Sequence, residues 1–347
     1  MRKRILNTPL VVKVPLLDLS GFDGNAAQKK ALVQQLRIAC QDVGFFYVLG
    51  HGIEPALQTR LEEHSAHFFA ADEATKMQIS MELGGKAWRG YFPVGAELTS
   101  GRPDLKEGIY FGQELLPDHP KVKAGTPLHG SNLFPDIPGF RETVLEYMAA
   151  VTKLGHTLMR LLSLSLDLDE QYFSRHFTSD PLILFRIFHY PPGPTLSAAE
   201  PEPSAGHWGV GEHTDYGLLT ILKQDGCGGL QIKSRDLWIE APPINNAFVC
   251  NIGDMLERMT GGLYRSTPHR VRNVSGRDRY SYPLFFDPGF DVEVGLLPNM
   301  DVRSDSKAER WDSQSVYDFK GTYGDYILAK VARVFPELKR TISDELE

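Results

Sequence analysis

The chemistry of this sequence is concentrated in one segment, Glu212-His213-Thr214-Asp215-Tyr216-Gly217. His213 and Asp215 are two positions apart, and on an extended segment side chains at i and i+2 leave the same face. A neutral imidazole and a carboxylate on one face can share a divalent cation. A single His-x-Asp is a weak signal, because chance supplies it in many chains of this size. It gains weight from His269, in Arg265-Ser266-Thr267-Pro268-His269-Arg270-Val271, with 53 residues between it and Asp215. Two imidazoles and one carboxylate form the facial triad of non-haem Fe(II) oxygenases, which leaves three coordination positions open. Ten residues on, Arg279-Tyr280-Ser281 sets a guanidinium and a hydroxyl on one strand face. Guanidinium offers a rigid fork to a carboxylate, and the serine adds a donor.

These residues need a scaffold, and the periodicity of the chain supplies one. Residues 14–19 and 45–49 read as strands, and 26–40 and 55–70 as helices with Leu32, Leu36 and Ala39, then Leu57, Leu61 and Phe68, turned inward. Gly and Pro punctuate 84–135, which reads as loops with short strands. A long helix is predicted over 138–166, with Pro138 at its start, and a second over 169–176. From Pro181 the texture changes to short β-type runs at 183–190, 218–223, 230–232, 237–240, 247–252 and 279–286. Short strands at near-regular spacing point to an antiparallel sandwich or barrel. Residues 323–335 close the pattern as an amphipathic helix. The stretch 191–211, rich in Pro, Gly, Ala and Ser, reads as a surface loop whose place before His213 would suit a lid.

Composition excludes several classes. The chain has 347 residues, 42% hydrophobic and 23% charged, which is ordinary globular composition and no basis for disorder or a coiled coil. Net charge is −7, so the sequence argues against a nucleic-acid partner; the one basic cluster, Arg2-Lys3-Arg4, reads as a solvated tail. No apolar run approaches the ~20 residues of a membrane helix. Three widely spaced cysteines, Cys40, Cys227 and Cys250, lack zinc or redox spacing, and the first and last read as core thiols. The expectation is a soluble, cytoplasmic protein in a reducing compartment.

The motifs, taken together, resemble the isopenicillin N synthase-like Fe(II)/2-oxoglutarate-dependent dioxygenases over about residues 14–335. His-x-Asp, about fifty residues, His, ten residues, then Arg-x-Ser is that family's pattern. Its other motifs occur in order: Asp42-Val43-Gly44-Phe45-Phe46-Tyr47-Val48, His51-Gly52-Ile53, Arg89-Gly90-Tyr91, Tyr190-Pro191-Pro192, Gly229-Leu230-Gln231, Asn251-Ile252-Gly253-Asp254 and Tyr264-Arg265-Ser266. The resemblance implies a mixed α and β chain with a double-stranded β-helix (jelly-roll) core, a helical N-terminal region and flanking helices. It implies that His213, Asp215 and His269 bind Fe(II), and that Arg279, Ser281 and Tyr190 bind the distal carboxylate of 2-oxoglutarate. O₂ and a small-molecule substrate complete the reaction, a hydroxylation or desaturation that releases succinate and CO₂. One departure stands out: the plant members have Asn-Tyr-Tyr-Pro-Pro where this chain has Phe188-His189-Tyr190-Pro191-Pro192. An asparagine contact is lost, and His189 is not added to the triad.

The resemblance divides the chain into an N-terminal helix-rich region (1–180), a jelly-roll core (181–295) and a C-terminal helical extension (296–347), all one catalytic unit. Arg89, Tyr91 and Lys106-Glu107 read as surface salt bridges or as substrate contacts at the mouth of the site, and Phe285 as core filling on the face of Arg279 and Ser281. Two rivals share the fold: a 2-oxoglutarate-independent Fe(II) oxidase of isopenicillin N synthase type, and a jelly-roll binding protein without catalysis.

Overall fold

In the computed structural model, residues 13–99, 101–192, 208–234, 237–303 and 314–335 are described. The basic cluster at 2–4, most of the 191–211 loop and His207 lie outside them.

After β1 (Leu16–Asp18), helix α1 (Ala26–Asp42) buries Leu32, Leu36, Ala39 and Cys40 along one stripe. Asn25 caps it by accepting from the N–H groups of Ala27 and Gln28, while the Gln28 side chain accepts from Asn25 N–H, each at 3.0 Å. Gly44 stops it at φ 73°, where a Cβ would lie 2.3 Å from the Arg265 carbonyl oxygen. The chain thereby turns straight into β2 (Phe45–Leu49). Helix α2 (Pro55–Phe69) follows with Leu57, Leu61 and Phe68 buried, then the short α3 (Glu73–Lys76). The Gly- and Pro-rich stretch holds two strands, β3 (Gly90–Phe92) and β4 (Glu107–Gly112), and the single turn α4 (Pro120–Lys123). The long helix α5 runs Phe140–Ser165. Pro138 falls outside it because Gly139, at φ 80°, is its N-cap. The second predicted helix shortens to α6 (Tyr172–His176).

The β-rich half contains β5 (Leu182–Tyr190), β6 (Val210–His213), β7 (Leu219–Gln224), β8 (Leu230–Ser234), β9 (Leu237–Glu240) and β10 (Phe248–Ile252). The helix α7 (Asp254–Met259), β11 (His269–Val271), β12 (Arg279–Asp287) and α8 (Tyr323–Val334) complete it. An eight-stranded sheet runs β1-β2-β10-β7-β12-β5-β4-β3, and a four-stranded sheet runs β6-β11-β8-β9. Only β1 and β2 pair in parallel; every other pairing of named strands is antiparallel. This is the mixed jelly-roll architecture the motifs implied. The larger sheet recruits β1 to β4 from the N-terminal half, a pairing over sequence distances that local periodicity does not encode. Helix α5 lies across that sheet so closely that a Cβ on Gly155 would meet the Phe286 ring at 2.3 Å. Among the described residues, no helix is long and apolar enough to cross a membrane.

Candidate active site

Two three- and four-residue strands, unmarked in the sequence pattern, carry the two histidines. β6 and β11 pair antiparallel with His213 directly opposite His269, so their rings meet at 4.2 Å between centroids. Asp215 lies just beyond the end of β6, not on an extended strand as the i, i+2 argument supposed. Its position is set by hydrogen bonds instead: the Asp254 N–H donates to its carbonyl at 2.8 Å, tying it to the start of α7. One carboxylate oxygen, Oδ2, accepts from Asn251 Nδ2 at 2.6 Å and from the Thr220 hydroxyl. The other, Oδ1, lies 3.7 Å from Nε2 of both histidines. One ligand atom from each of the three residues falls within 4.8 Å of the others.

The outer contacts prepare these atoms for a cation. The backbone carbonyls of Gly211 and Thr267 stand 2.8 and 3.2 Å from Nδ1 of His213 and His269, which places the ring proton there and leaves Nε2 as the lone pair. Burial, reinforced by the neighbouring His269, pushes the His213 pKa down to about 3, so the ring is neutral. Burial opposes ionisation of Asp215, but the two imidazoles and the Asn251 and Thr220 hydrogen bonds outweigh it and hold the carboxyl below its ordinary value. Two imidazoles that present Nε2 and one carboxylate are a donor set that fits Fe(II).

Across the same cavity, Arg279 on β12 faces Tyr190 on β5 in register. Its Nε donates to the Gly228 carbonyl at 2.6 Å, and the guanidinium sits 4.6 Å from the Tyr190 ring centroid. Ser281 Oγ lies 3.3 Å from the Tyr190 hydroxyl. Both terminal nitrogens of Arg279 are buried and, among the described residues, have no hydrogen-bond partner. A buried guanidinium with two idle donors is costly, and an anionic ligand with a forked carboxylate offsets that cost. The structure therefore brings together all six residues singled out in the sequence.

Other expectations are corrected. Arg89, Tyr91, Lys106 and Glu107 are all at most 4% exposed, so none is a surface ion pair. Of these only Lys106 lines the cavity. Glu107 instead receives the Lys76 ammonium at 2.7 Å, the Tyr91 hydroxyl at 2.5 Å and the His189 ring at 2.7 Å. The other ring nitrogen of His189 lies 2.7 Å from Asp278, outside the triad. Phe285 shares the face of Arg279 and Ser281 as alternation predicted; it packs against the hydrophobic core and also lines the cavity. The supports Thr220 and Asn251 were not expected from the sequence, although Asn251 belongs to the Asn251-Ile252-Gly253-Asp254 motif. Nor were Glu97, Arg186 and Tyr216 in the cavity wall, or the closure of that wall by α8. Charged residues in Gly-rich stretches look solvated in a sequence, and only the fold buries them.

Comparison with known proteins places the two halves of the chain. Residues 14–137 match the family described as non-haem dioxygenase in morphine synthesis N-terminal, and residues 181–288 match the 2OG-Fe(II) oxygenase superfamily. A Dictyostelium discoideum protein described as a probable iron/ascorbate oxidoreductase is 51% identical, with 96% of this chain and 97% of that one covered. The 1-aminocyclopropane-1-carboxylate oxidase of the same organism is 38% identical, covering 97% and 99%. A full-length Neurospora crassa protein crystallised with alpha-KG superposes with a TM-score of 0.75 at 27% identity, covering 92% of this chain and 96% of that one. The same protein has also been crystallised with alpha-KG and thymine.

Proposed function

This chain belongs to the isopenicillin N synthase-like 2-oxoglutarate–Fe(II) oxygenases and is an Fe(II)- and 2-oxoglutarate-dependent oxidoreductase, and from that premise we propose which residues do the work. His213, Asp215 and His269 hold Fe(II), and Arg279, with Ser281 and Tyr190, holds the distal carboxylate of 2-oxoglutarate. The observation that carries this reading is the pair of unpartnered Arg279 nitrogens in the cavity of the His-Asp-His cluster. The substrate is a small molecule, a reading supported by the neighbour crystallised with thymine. Residues 1–180, 181–295 and 296–347 act as one catalytic unit, because elements of all three wall the same cavity. Unpaired, buried Cys40 and Cys250 suit the reducing environment of the cytoplasm.

When bound, Fe(II) and 2-oxoglutarate supply O₂ activation coupled to decarboxylation, with substrate hydroxylation or desaturation as the outcome. The protein's part is placement. The Gly211 and Thr267 carbonyls fix the two rings by their Nδ1 protons, and Asn251 and Thr220 occupy Asp215 Oδ2 so that Oδ1 points to the metal position. Gly228 and the Tyr190 ring immobilise the Arg279 fork before any ligand arrives. The apolar residues of α8 shield the cavity from bulk water.

The test is spectroscopic. Metal-free protein loaded anaerobically with Fe(II) and then 2-oxoglutarate should develop the metal-to-ligand charge-transfer band of the chelate. Iron binding without that band would overturn the cosubstrate assignment. We expect Arg279→Ala to raise the 2-oxoglutarate concentration for half-maximal band intensity by roughly 10- to 100-fold, as for a lost charge-assisted hydrogen bond, while iron still binds. An unchanged requirement would remove Arg279 from the site.

A further inference from the structure

The proposed cosubstrate residues sit at a strand end, and the face of the sheet behind them carries a charged cluster outside the cavity. Arg279 and Tyr190 form the terminal rung where β12 pairs with β5. Tyr190 is followed by Pro191 and Pro192, which have no N–H to extend the ladder. A rung at the end of a ladder opens readily unless side chains tie it. Asn273 supplies one tie, with Nδ2 2.9 Å from the Tyr190 carbonyl and 2.8 Å from that of Arg277. His189 supplies another.

His189 precedes Tyr190 on β5 and so points to the opposite face. Its Nε2 lies 2.7 Å from Oδ1 of Asp278, the residue before Arg279. Its Nδ1 lies 2.7 Å from Oε1 of Glu107, its partner across β4. Burial opposes ionisation of Glu107, but hydrogen bonds from His189, Lys76 and Tyr91 outweigh it and hold the carboxyl below its ordinary value. The Asp278 side chain is 54% exposed and has water to support its charge. A carboxylate only accepts, so both ring nitrogens donate, and a ring that donates twice is an imidazolium. Tyr280 stacks on it at 5.0 Å between centroids, with Phe69 of α2 at 5.1 Å.

The wider cluster suits that charge. Lys76 of α3 and the phenol of Tyr91 on β3 both reach Glu107 Oε2, and Glu73 stands beyond Tyr91. Asp225 accepts from the Tyr280 N–H at 2.6 Å, and Arg277 lies near Cys227, whose thiol donates to the Asp278 carbonyl. Arg279 is turned to the cavity face. The carboxylates of Glu73, Glu107, Asp225 and Asp278 therefore outnumber the fixed cations Lys76 and Arg277, and the imidazolium reduces the excess.

A neutral ring has one N–H and can donate to one carboxylate only; the other nitrogen would set a lone pair against an oxygen. Glu107 is buried and keeps Lys76 and Tyr91, whereas His189 is the one hydrogen-bond donor to the Asp278 carboxylate among the described residues. Asp278 can turn to water, so it is the partner released.

We propose that His189 is a positioning residue for the cosubstrate: as an imidazolium it ties β5 to the start of β12 at the Tyr190–Arg279 rung, and loss of its second proton releases Asp278, loosens that rung and weakens 2-oxoglutarate binding. The proposal rests on the assignment of Arg279 and Tyr190 to 2-oxoglutarate.

The test loads the full chain anaerobically with Fe(II) and titrates 2-oxoglutarate at about pH 6 and about pH 8.5, on either side of the range where histidine changes charge, through the charge-transfer band and by calorimetry. Wild type should need roughly 3- to 10-fold more 2-oxoglutarate at the higher pH, part of what a charge-assisted hydrogen bond contributes directly. Asp278→Ala lacks the tie at either pH. It should need several-fold more than wild type at the lower pH and converge with it at the higher. Asp278→Asn, whose amide can accept from or donate to the ring, holds both forms and should bind more tightly than wild type at the higher pH. His189→Gln should follow Asp278→Ala, and if it fails to fold the two Asp278 variants still decide. Iron affinity in the Asp278 variants should match wild type at each pH, which a general loosening would not allow. A wild-type requirement constant within about twofold between the two pH values, or an Asp278→Ala requirement offset from wild type by the same factor at both, would overturn the proposal. Absence of the band in iron-loaded wild type at the lower pH would strike the 2-oxoglutarate assignment instead, so the two failures are distinguishable.

Discussion

At the residue scale, the proposed metal position is defined by how few freedoms His213, Asp215 and His269 retain. Asp215 is the least constrained by secondary structure and the most constrained by hydrogen bonds, with Asn251 and Thr220 both on Oδ2. Such outer contacts typically carry 10- to 100-fold in metal affinity. We expect Asn251→Ala and Thr220→Val each to weaken Fe(II) binding by roughly 10-fold or more, measured by anaerobic metal titration, with the 2-oxoglutarate requirement at saturating iron little changed. Equal iron affinity in both variants would mean that Asp215 is oriented by its backbone alone. The proposed ligands were legible in the sequence because His, Asp, Arg and Ser are chemically distinctive and their spacing follows a family pattern. Their supports were not: an asparagine and a threonine within apolar strands carry no mark of which oxygen they will meet. Arg186 was silent for a related reason. A lone arginine in a strand reads as a solvent-facing residue until the neighbouring strands are known.

At the element scale, periodicity found most elements, down to the four residues of β9, and missed the two strands that carry the histidines. The stripes of α1, α2 and α5 and the apolar runs of β2, β5, β10 and β12 fall within a few residues of their expected bounds. The strands β6 and β11, which hold both histidines, are too short to show alternation, and their pairing is specified by the sheet around them. Some local signals conflict with what the fold requires. Gly155 sits in the middle of α5, where alanine would ordinarily gain about 1 kcal/mol of helix stability. Here the added Cβ would meet Phe286 at 2.3 Å, and that ring is fully buried with His156 against its edge at 4.9 Å. Overpacking of this kind costs about 1–3 kcal/mol and exceeds the propensity gain. We therefore expect Gly155→Ala to lower stability by on the order of 1 kcal/mol in denaturant unfolding, with the slope unchanged. A more stable variant would show that α5 can lift from the sheet without loss.

At the scale of the whole molecule, the far end of the chain closes a cavity built by the rest. Phe335 packs its ring against Trp88, Phe92 and Tyr110 from the N-terminal half, at 5.1 to 5.7 Å between centroids. Two phenols pin α8 to buried carboxyls: Tyr326 donates to Asp254 at 3.0 Å and Tyr323 to Asp287 at 2.5 Å. Asp287 also accepts from the Leu218 N–H at 3.3 Å, and it stands so close to Gly217 that no side chain would fit there. Burial pushes the Asp287 pKa up to about 7, against an ordinary carboxyl value near 4 in the unfolded chain. The sign follows from proton counting. Between about pH 4 and pH 7 the folded chain holds this proton and the unfolded chain has released it, so stability falls as pH rises through that window. Above it the full cost of a buried, ionised Asp287 is present. Asp287→Asn cannot ionise and keeps a carbonyl to accept from Tyr323. In metal-free protein, where no cation biases the cavity, the variant should melt higher than wild type at pH 8 and the two should converge toward pH 4. Melting curves that stay parallel across that range would show that Asp287 is ionised throughout, with the attachment of α8 to the core independent of pH.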